Sequence, residues 1–207
     1  MAIAPARSLL LSGLVMLVLL AQAGIGSFAL WRSQGEQAAA RETLAALAGR
    51  LDTARLAEVA FKVQVQEWKN ILLRGQDPAL RQRHELAFAE ERSRVGAALT
   101  RLGPTSGALR QAHDVVDAVY ANALAAAQLD TGEGARAADA SVRGVDRAFQ
   151  QQLETFAANL LAEHATAITA ASRAAQAHYR QLTLLLNVSA GVGLLLALGL
   201  LFLVIRR

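Results

Sequence analysis

The chain has 207 residues, of which 54% are apolar, 18% charged and 5% aromatic, and it contains no cysteine. That composition excludes a disordered polar tail, a disulfide-stapled miniprotein and a thiolate metal centre. The net charge of +4 does not mark a nucleic-acid surface: setting Arg7, Arg206 and Arg207 aside from the 21 basic residues leaves 18 against 17 acidic ones in the middle of the chain. A basic footprint is missing, and no nucleic-acid partner is expected.

The first element follows a cytoplasmic N-terminus, residues 1–7. From Ser8 to Trp31 the chain carries no charge, and the same holds from Gln181 to Ile205. A bilayer core about 30 Å thick needs about 20 helical residues, so both runs are predicted as transmembrane helices. Arg7 before the first run, and Arg206 with Arg207 after the second, place both ends in the cytoplasm by the positive-inside bias; Trp31 and Tyr179 fall where interfacial aromatics belong. Arg7, the run Leu9 to Leu20 and Ala21-Gln22-Ala23 also fit a cleaved signal peptide, although the apolar run continues to Trp31. On either reading residues 32–180 are exported, and 206–207 form a short cytoplasmic stub. Gln22 and Asn187 are the polar residues set deepest toward the outer leaflet and suit an interhelical hydrogen bond. Ser189 and Gly193 form a small-xxx-small pair that suits close packing.

Three break signals divide the exported part. Gly75-Gln76-Asp77-Pro78 reads as a helix end, an N-cap and a first-turn proline; Gly103-Pro104-Thr105-Ser106 repeats the pattern with a hydroxyl cap; Asp130-Thr131-Gly132-Glu133-Gly134 is the third. The resulting segments, about 32–74, 78–102, 105–130 and 135–180, show helical periodicity. The core stripes are expected at Leu44, Leu47, Leu51, Val59, Val63, Gln66, Asn70 and Leu73 in the first segment, Phe88, Val95, Leu99 and Leu102 in the second, Leu109, Val116, Tyr120 and Ala123 in the third, and Val142, Val145, Phe149, Phe156, Leu160, Ala167 and Ala171 in the fourth. The fold class is therefore all-α: a membrane-anchored, antiparallel, up-down-up-down four-helix bundle with two transmembrane helices. Segments one and four are longer by about 20 residues than the inner pair, roughly 65 Å against 38 Å, so the inner helices complete the bundle only far from the membrane.

A second stripe on the first helix, Phe61, Val65, Trp68 and Leu72, is offset from the first. It either widens the core face toward two neighbouring helices or forms a dimer interface with a second copy. The histidines carry no haem or zinc motif, and at helical rise they sit roughly 16 to 20 Å apart in height, so no metal, cofactor or enzymatic chemistry is expected. What does converge is a distal polar layer: Trp68, Lys69, Asn70, Arg74, Arg81, His84 and Arg143, with Asn122 alongside. Guanidinium and amide donors around an aromatic ring suit a carboxylate or similar small anion. Glu67, Asp77, Glu85 and Asp139 are interleaved with them, as on ordinary solvated helix faces.

The order of span, long helix, two shorter helices, long helix and span resembles the exported part of methyl-accepting chemotaxis proteins with a four-helix-bundle ligand-binding domain. Locally, Phe61-Lys62-Val63-Gln64-Val65-Gln66-Glu67-Trp68-Lys69-Asn70-Ile71-Leu72-Leu73-Arg74-Gly75 followed by Asp77-Pro78 looks like the end of the first sensor helix of that group. The resemblance implies a multi-pass homodimer in a bacterial inner membrane, with a periplasmic bundle that senses a small molecule or a partner protein. It implies a signal carried by displacement of the last helix and its span, and the absence of proline from 135 onward predicts one unbroken helix for that purpose. Family receptors continue into a HAMP linker and a methylated coiled coil, which the chain, stopping at Arg207, lacks. The competing reading is an accessory membrane subunit whose helical rod docks a partner protein.

Overall fold

The computed structural model describes residues 4–206 and is all-α, with no strand among the described residues. Five helices follow in order: α1 (Ala4–Arg74), α2 (Pro78–Arg101), α3 (Gly107–Ala126), α4 (Gly132–Ser141) and α5 (Val145–Ile205), with a short 3-10 turn over Gly103–Ser106. The first three residues of the expected N-terminal tail, and Arg207 of the expected stub, lie outside the described residues.

The breaks fall at the signalled positions, and each has a local cause. The Asp77 carboxylate accepts the backbone N–H groups of Ala79 at 2.9 Å and Leu80 at 3.1 Å, and Pro78 opens α2 where no N–H is required. Gly75 is required for proximity: a β-carbon there would lie 2.7 Å from the Ile71 carbonyl oxygen and 3.0 Å from Leu129 Cβ. Ser106 occupies the N-cap position of α3, but its hydroxyl does not cap the helix; it is buried and donates back to the Leu99 carbonyl at 2.5 Å. Thr131 caps α4 by accepting from the Gly134 N–H at 3.1 Å.

One expected element is divided. The predicted unbroken helix from 135 onward stops at Ser141 and restarts at Val145, and Gly144 between them has φ +84°. That left-handed conformation is open to glycine and costly for other residues, so the one glycine between positions 135 and 180 ends one helix and starts the next.

The chain forms two compact units: Ala45–Thr166, and Met1–Leu44 with Ala167–Arg207. In the unit Ala45–Thr166, stripes from α1, α2, α3 and α5 share one hydrophobic core, including Leu51, Phe61, Trp68 and Ile71 of α1, Val95 and Leu99 of α2, Val116 and Tyr120 of α3, and Phe149, Leu153 and Leu160 of α5. Phe61 meets Phe149 edge-on at 4.6 Å between ring centroids, and Trp68 stacks on Tyr120 at 4.7 Å.

Leu47 and Leu51 are buried as expected, but from Val59 onward the two stripes expected on α1 change places. Phe61, Trp68 and Leu72 are core residues and Val65 packs against the core, so these four do not form a free dimer surface. Val59, Val63 and Leu73, expected inside, are exposed, Leu73 at 79%. The true core line runs Leu47, Leu51, Ala54, Ala57, Phe61, Gln64, Trp68, Ile71, in steps of three and four. Two alanines and a glutamine weaken its hydrophobic signal, so the louder valines one face over mimic a core stripe.

In the other unit, α1 and α5 expose their apolar side chains, among them Leu17, Leu20, Ile25 and Phe28 on α1 and Leu184, Leu186, Val192 and Leu195 on α5. Both helices are long and apolar enough to cross a membrane. Within this stretch the Gln22 amide donates to the Ser189 carbonyl at 2.5 Å, the interhelical bond that its position suggested. Gly193 leaves room for it, since a β-carbon there would lie 2.7 Å from Gln22 Nε2.

Candidate functional site

The seven residues expected to hold a ligand do not act as one group. Trp68 is 1% exposed and belongs to the aromatic core with Tyr120 and Phe88. His84 is also buried: its Nδ1 lies 2.6 Å from a Glu67 carboxylate oxygen. Asn70 donates to the other Glu67 oxygen at 3.3 Å. The anion that His84 and Asn70 were expected to bind is thus the chain's own Glu67. Arg81 faces Glu85 one turn along α2, at 3.7 Å, and Arg74 and Arg143 are exposed. Asn122 is exposed as well.

Lys69 remains, and it lines a cavity of about 540 Å³. One wall is the last two turns of α1, with Lys69, Leu72 and Leu73, and Gln76 two residues beyond its end. The other is the first turns of α4, with Gly132, Ala135, Arg136 and Asp139, joined by Leu129 and Thr131 from the preceding connector. Each wall follows the i, i+3, i+4, i+7 spacing of a single helix face. Reading 130–134 only as a break hid Thr131, and treating 135–180 as one core-facing helix hid Arg136; the matched spacing of 69, 72, 73, 76 and 132, 135, 136, 139 is the signal that finds them. The floor is apolar and Lys69, Arg136 and Asp139 are exposed at the rim, the pattern of a small-molecule site.

A second polar group, also missed, lies inside the core. Gln64 is fully buried between α1 and α3; its amide donates to Asp117 Oδ1 at 2.8 Å, and its carbonyl oxygen lies 3.1 Å from His113 Nε2. His113 Nε2–H is therefore the donor to Gln64. Its Nδ1 lies 3.5 Å from Asp117 Oδ2, too long for a good hydrogen bond. Burial against Phe61 and Phe149 pushes the His113 imidazole below its ordinary value, and the nearby Asp117 carboxylate opposes that shift. Burial pushes Asp117 up, against the pull of His113 and the Gln64 hydrogen bond. The Tyr120 hydroxyl is pushed up chiefly by burial, with Asp146 and Asp139 adding to it. Among the described residues no group of three or more His, Cys, Asp or Glu stands ready for a metal ion.

No protein-family model matches the chain, and no solved structure matches it. Over 158 residues, 71% of its length, the chain is 32% identical to the methyl-accepting chemotaxis protein CtpH of Pseudomonas aeruginosa. That stretch is 26% of the relative's length. The likeness is thus to part of a chemotaxis receptor, and the chain spans about a quarter of that receptor's length.

Proposed function

We propose that the chain is the sensory region of a chemoreceptor-type membrane protein of a bacterial inner membrane. Residues 8–31 and 181–205 are its spans, and 32–180 fold outside the cytoplasm as an antiparallel four-helix bundle that binds a small molecule or a partner protein. The observation that carries the reading is the double character of α1 and α5. Each has a long stretch of exposed apolar side chains that only lipid would cover, and farther along a stripe in the shared core. Kinship with a methyl-accepting chemotaxis protein over 71% of the chain points the same way.

A second copy fits this reading through a different face from the one first expected. Leu56, Val59 and Val63 are exposed on α1 and one or two turns apart, and they form the apolar stripe available for a homodimer. Displacement of α5 and its span would carry the signal.

The test uses the natural lack of cysteine. An Asp77→Cys chain in spheroplasts is expected to react with a membrane-impermeant maleimide, and the chain joined to a receptor's HAMP and signalling regions is expected to alter kinase activity when metabolites are added outside. Protection of Cys at position 77 until the membrane is permeabilised would remove the reading.

A further inference from the structure

We infer that a groove between α1 and α5, just beyond the two apolar runs, seats the headgroup of a phosphatidylethanolamine from the outer leaflet, with its ammonium held by Glu36 and His178. The inference rests on the membrane reading above, which sets the depth of the groove.

The first argument is depth. A cavity of about 330 Å³ lies within the unit formed by Met1–Leu44 and Ala167–Arg207. One wall is a face of α1 from Ser33 to Ala40, and the other is a face of α5 from Ala171 to Leu182. The groove starts two residues past Trp31 and extends seven residues farther, about 10 Å at helical rise. The headgroup layer on each side of a bilayer core is about 5–8 Å thick. Trp31 and Tyr179, exposed at 71% and 72%, stand at the same level, where interfacial aromatics belong. With spans at 8–31 and 181–205, the molecule always beside this groove is a lipid headgroup.

The second argument is the lining. Ala40, Ala171, Ala174 and Ala175 are too small to close the seam between the helices, and the cavity is what they leave. Glu36 is the one permanently charged residue of the lining, which contains no lysine or arginine. Arg32 donates to Glu36 Oε1 at 3.1 Å, whereas Oε2 faces His178 Nδ1 at 4.0 Å, too long for a hydrogen bond.

His178 Nε2 is buried and has no hydrogen-bond partner, a rare condition in a folded protein. Among the described residues two other side-chain atoms share it, Trp68 Nε1 and His84 Nε2, and both belong to the other unit. The Gln37 amide is already engaged with Ser33 Oγ at 3.3 Å and does not fill the gap. With the ring proton on Nδ1, toward the carboxylate, Nε2 is an acceptor. A primary ammonium carries three N–H donors, enough for Glu36 Oε2 and the histidine together. An anionic headgroup would bring its charge to Glu36, and choline has no N–H to give. A headgroup seated here sets the spacing of α1 and α5 where both leave the lipid.

The experiment is native mass spectrometry of the full chain in detergent, with lipids that share palmitoyl and oleoyl chains. The headgroups are phosphatidylethanolamine, its N-methyl and N,N-dimethyl derivatives, phosphatidylcholine and phosphatidylglycerol. Binding is expected to weaken along the methyl series as N–H donors are lost, with phosphatidylcholine and phosphatidylglycerol about tenfold below phosphatidylethanolamine. Glu36→Gln should bring phosphatidylethanolamine down to the level of phosphatidylcholine and leave phosphatidylcholine unchanged. Ala175→Leu, which fills the groove and keeps its polar groups, should also remove the preference. Both positions are exposed, so unaltered circular-dichroism melting will verify that the variants are folded. Equal binding of phosphatidylethanolamine and phosphatidylcholine, or a preference that survives both substitutions, overturns the inference. Competition by free ethanolamine also overturns it, since the groove would then belong to a soluble amine. The membrane reading fails separately, if the Asp77→Cys chain stays unlabelled in spheroplasts while the lipid series binds as expected.

Discussion

His84 and Glu67 are joined by a contact of 2.6 Å between α2 and α1, and this contact decides which distal polar residues are open to a ligand. Asn70 holds the other oxygen of the same carboxylate, so three residues of the polar layer satisfy one another. The second ring nitrogen of His84, Nε2, is buried with no partner, and the ring therefore relies on Glu67 alone. Glu67→Ala is expected to lower stability by about 1–3 kcal/mol, because it leaves a buried imidazole with no hydrogen bond at either nitrogen. Glu67→Gln keeps an acceptor and should cost less. Thermal unfolding of the two variants in one detergent measures the difference; equal melting temperatures for Glu67→Ala and the parent chain would show that the contact contributes nothing.

The buried group of Gln64, His113 and Asp117 gives the protein a pH dependence whose sign is fixed by direction. A histidine held below its ordinary value of 6.5 binds a proton more readily when the chain is unfolded. Its contribution is therefore present in full above that pH and is lost as pH falls through the mildly acidic range. Asp117, held above 3.8, acts with the opposite sign, since protonation favours the folded form. Its side chain is 18% exposed against 4% for His113, and it keeps the Gln64 hydrogen bond, so its effect belongs lower on the pH scale. The charged groups that bear on the imidazole are Asp117, Asp114 and Arg92. Melting temperature is expected to fall between pH 7 and pH 5, and His113→Gln, which retains a donor toward Gln64, should flatten that slope. An unchanged slope in the variant would assign the acid sensitivity to other groups.

Much of this fold can be read from the sequence because its breaks are made by local chemistry. Asp77 and Pro78 specify the start of α2 whatever surrounds them, and Thr131 does the same for α4. The two charge-free runs are equally plain. What periodicity did not reveal is which of two neighbouring faces of α1 is buried, because Ala54, Ala57 and Gln64 are small or polar and yet lie on the core line. Charge pairing was hidden for a related reason: that Glu67 occupies His84 and Asn70 depends on how α1 and α2 meet, which no single helix encodes. Gly144 was visible as a residue, but its meaning depended on backbone conformation. At φ +84° an alanine is strained, so Gly144→Ala is expected to destabilise by about 1–2 kcal/mol, whereas Gly96→Ala, inside α2 with open space around it, should be neutral or slightly stabilising. Paired melting curves test the contrast, and a neutral Gly144→Ala would mean that α4 and α5 readily tolerate a different join.

The exchange of faces on α1 separates two effects that a sequence pattern merges. Phe61 is fully buried against Phe149 and His113, so Phe61→Ala removes a ring from the centre of the core and is expected to cost about 3–5 kcal/mol. Val59, two positions earlier, is 59% exposed, and Val59→Asp removes no core contact. If Leu56, Val59 and Val63 cover one another across a homodimer, a charge at position 59 should leave the unfolding free energy of dilute protein within about 0.5 kcal/mol of the parent while shifting the sedimentation profile from dimer to monomer. A cysteine at position 63 provides the complementary reading: on mild oxidation it should cross-link to its own copy, and the product should disappear when Val59→Asp is present. Cross-linking that survives the added charge, or a parent chain that sediments as a monomer at every concentration, would leave the exposed stripe of α1 without a second copy to cover it.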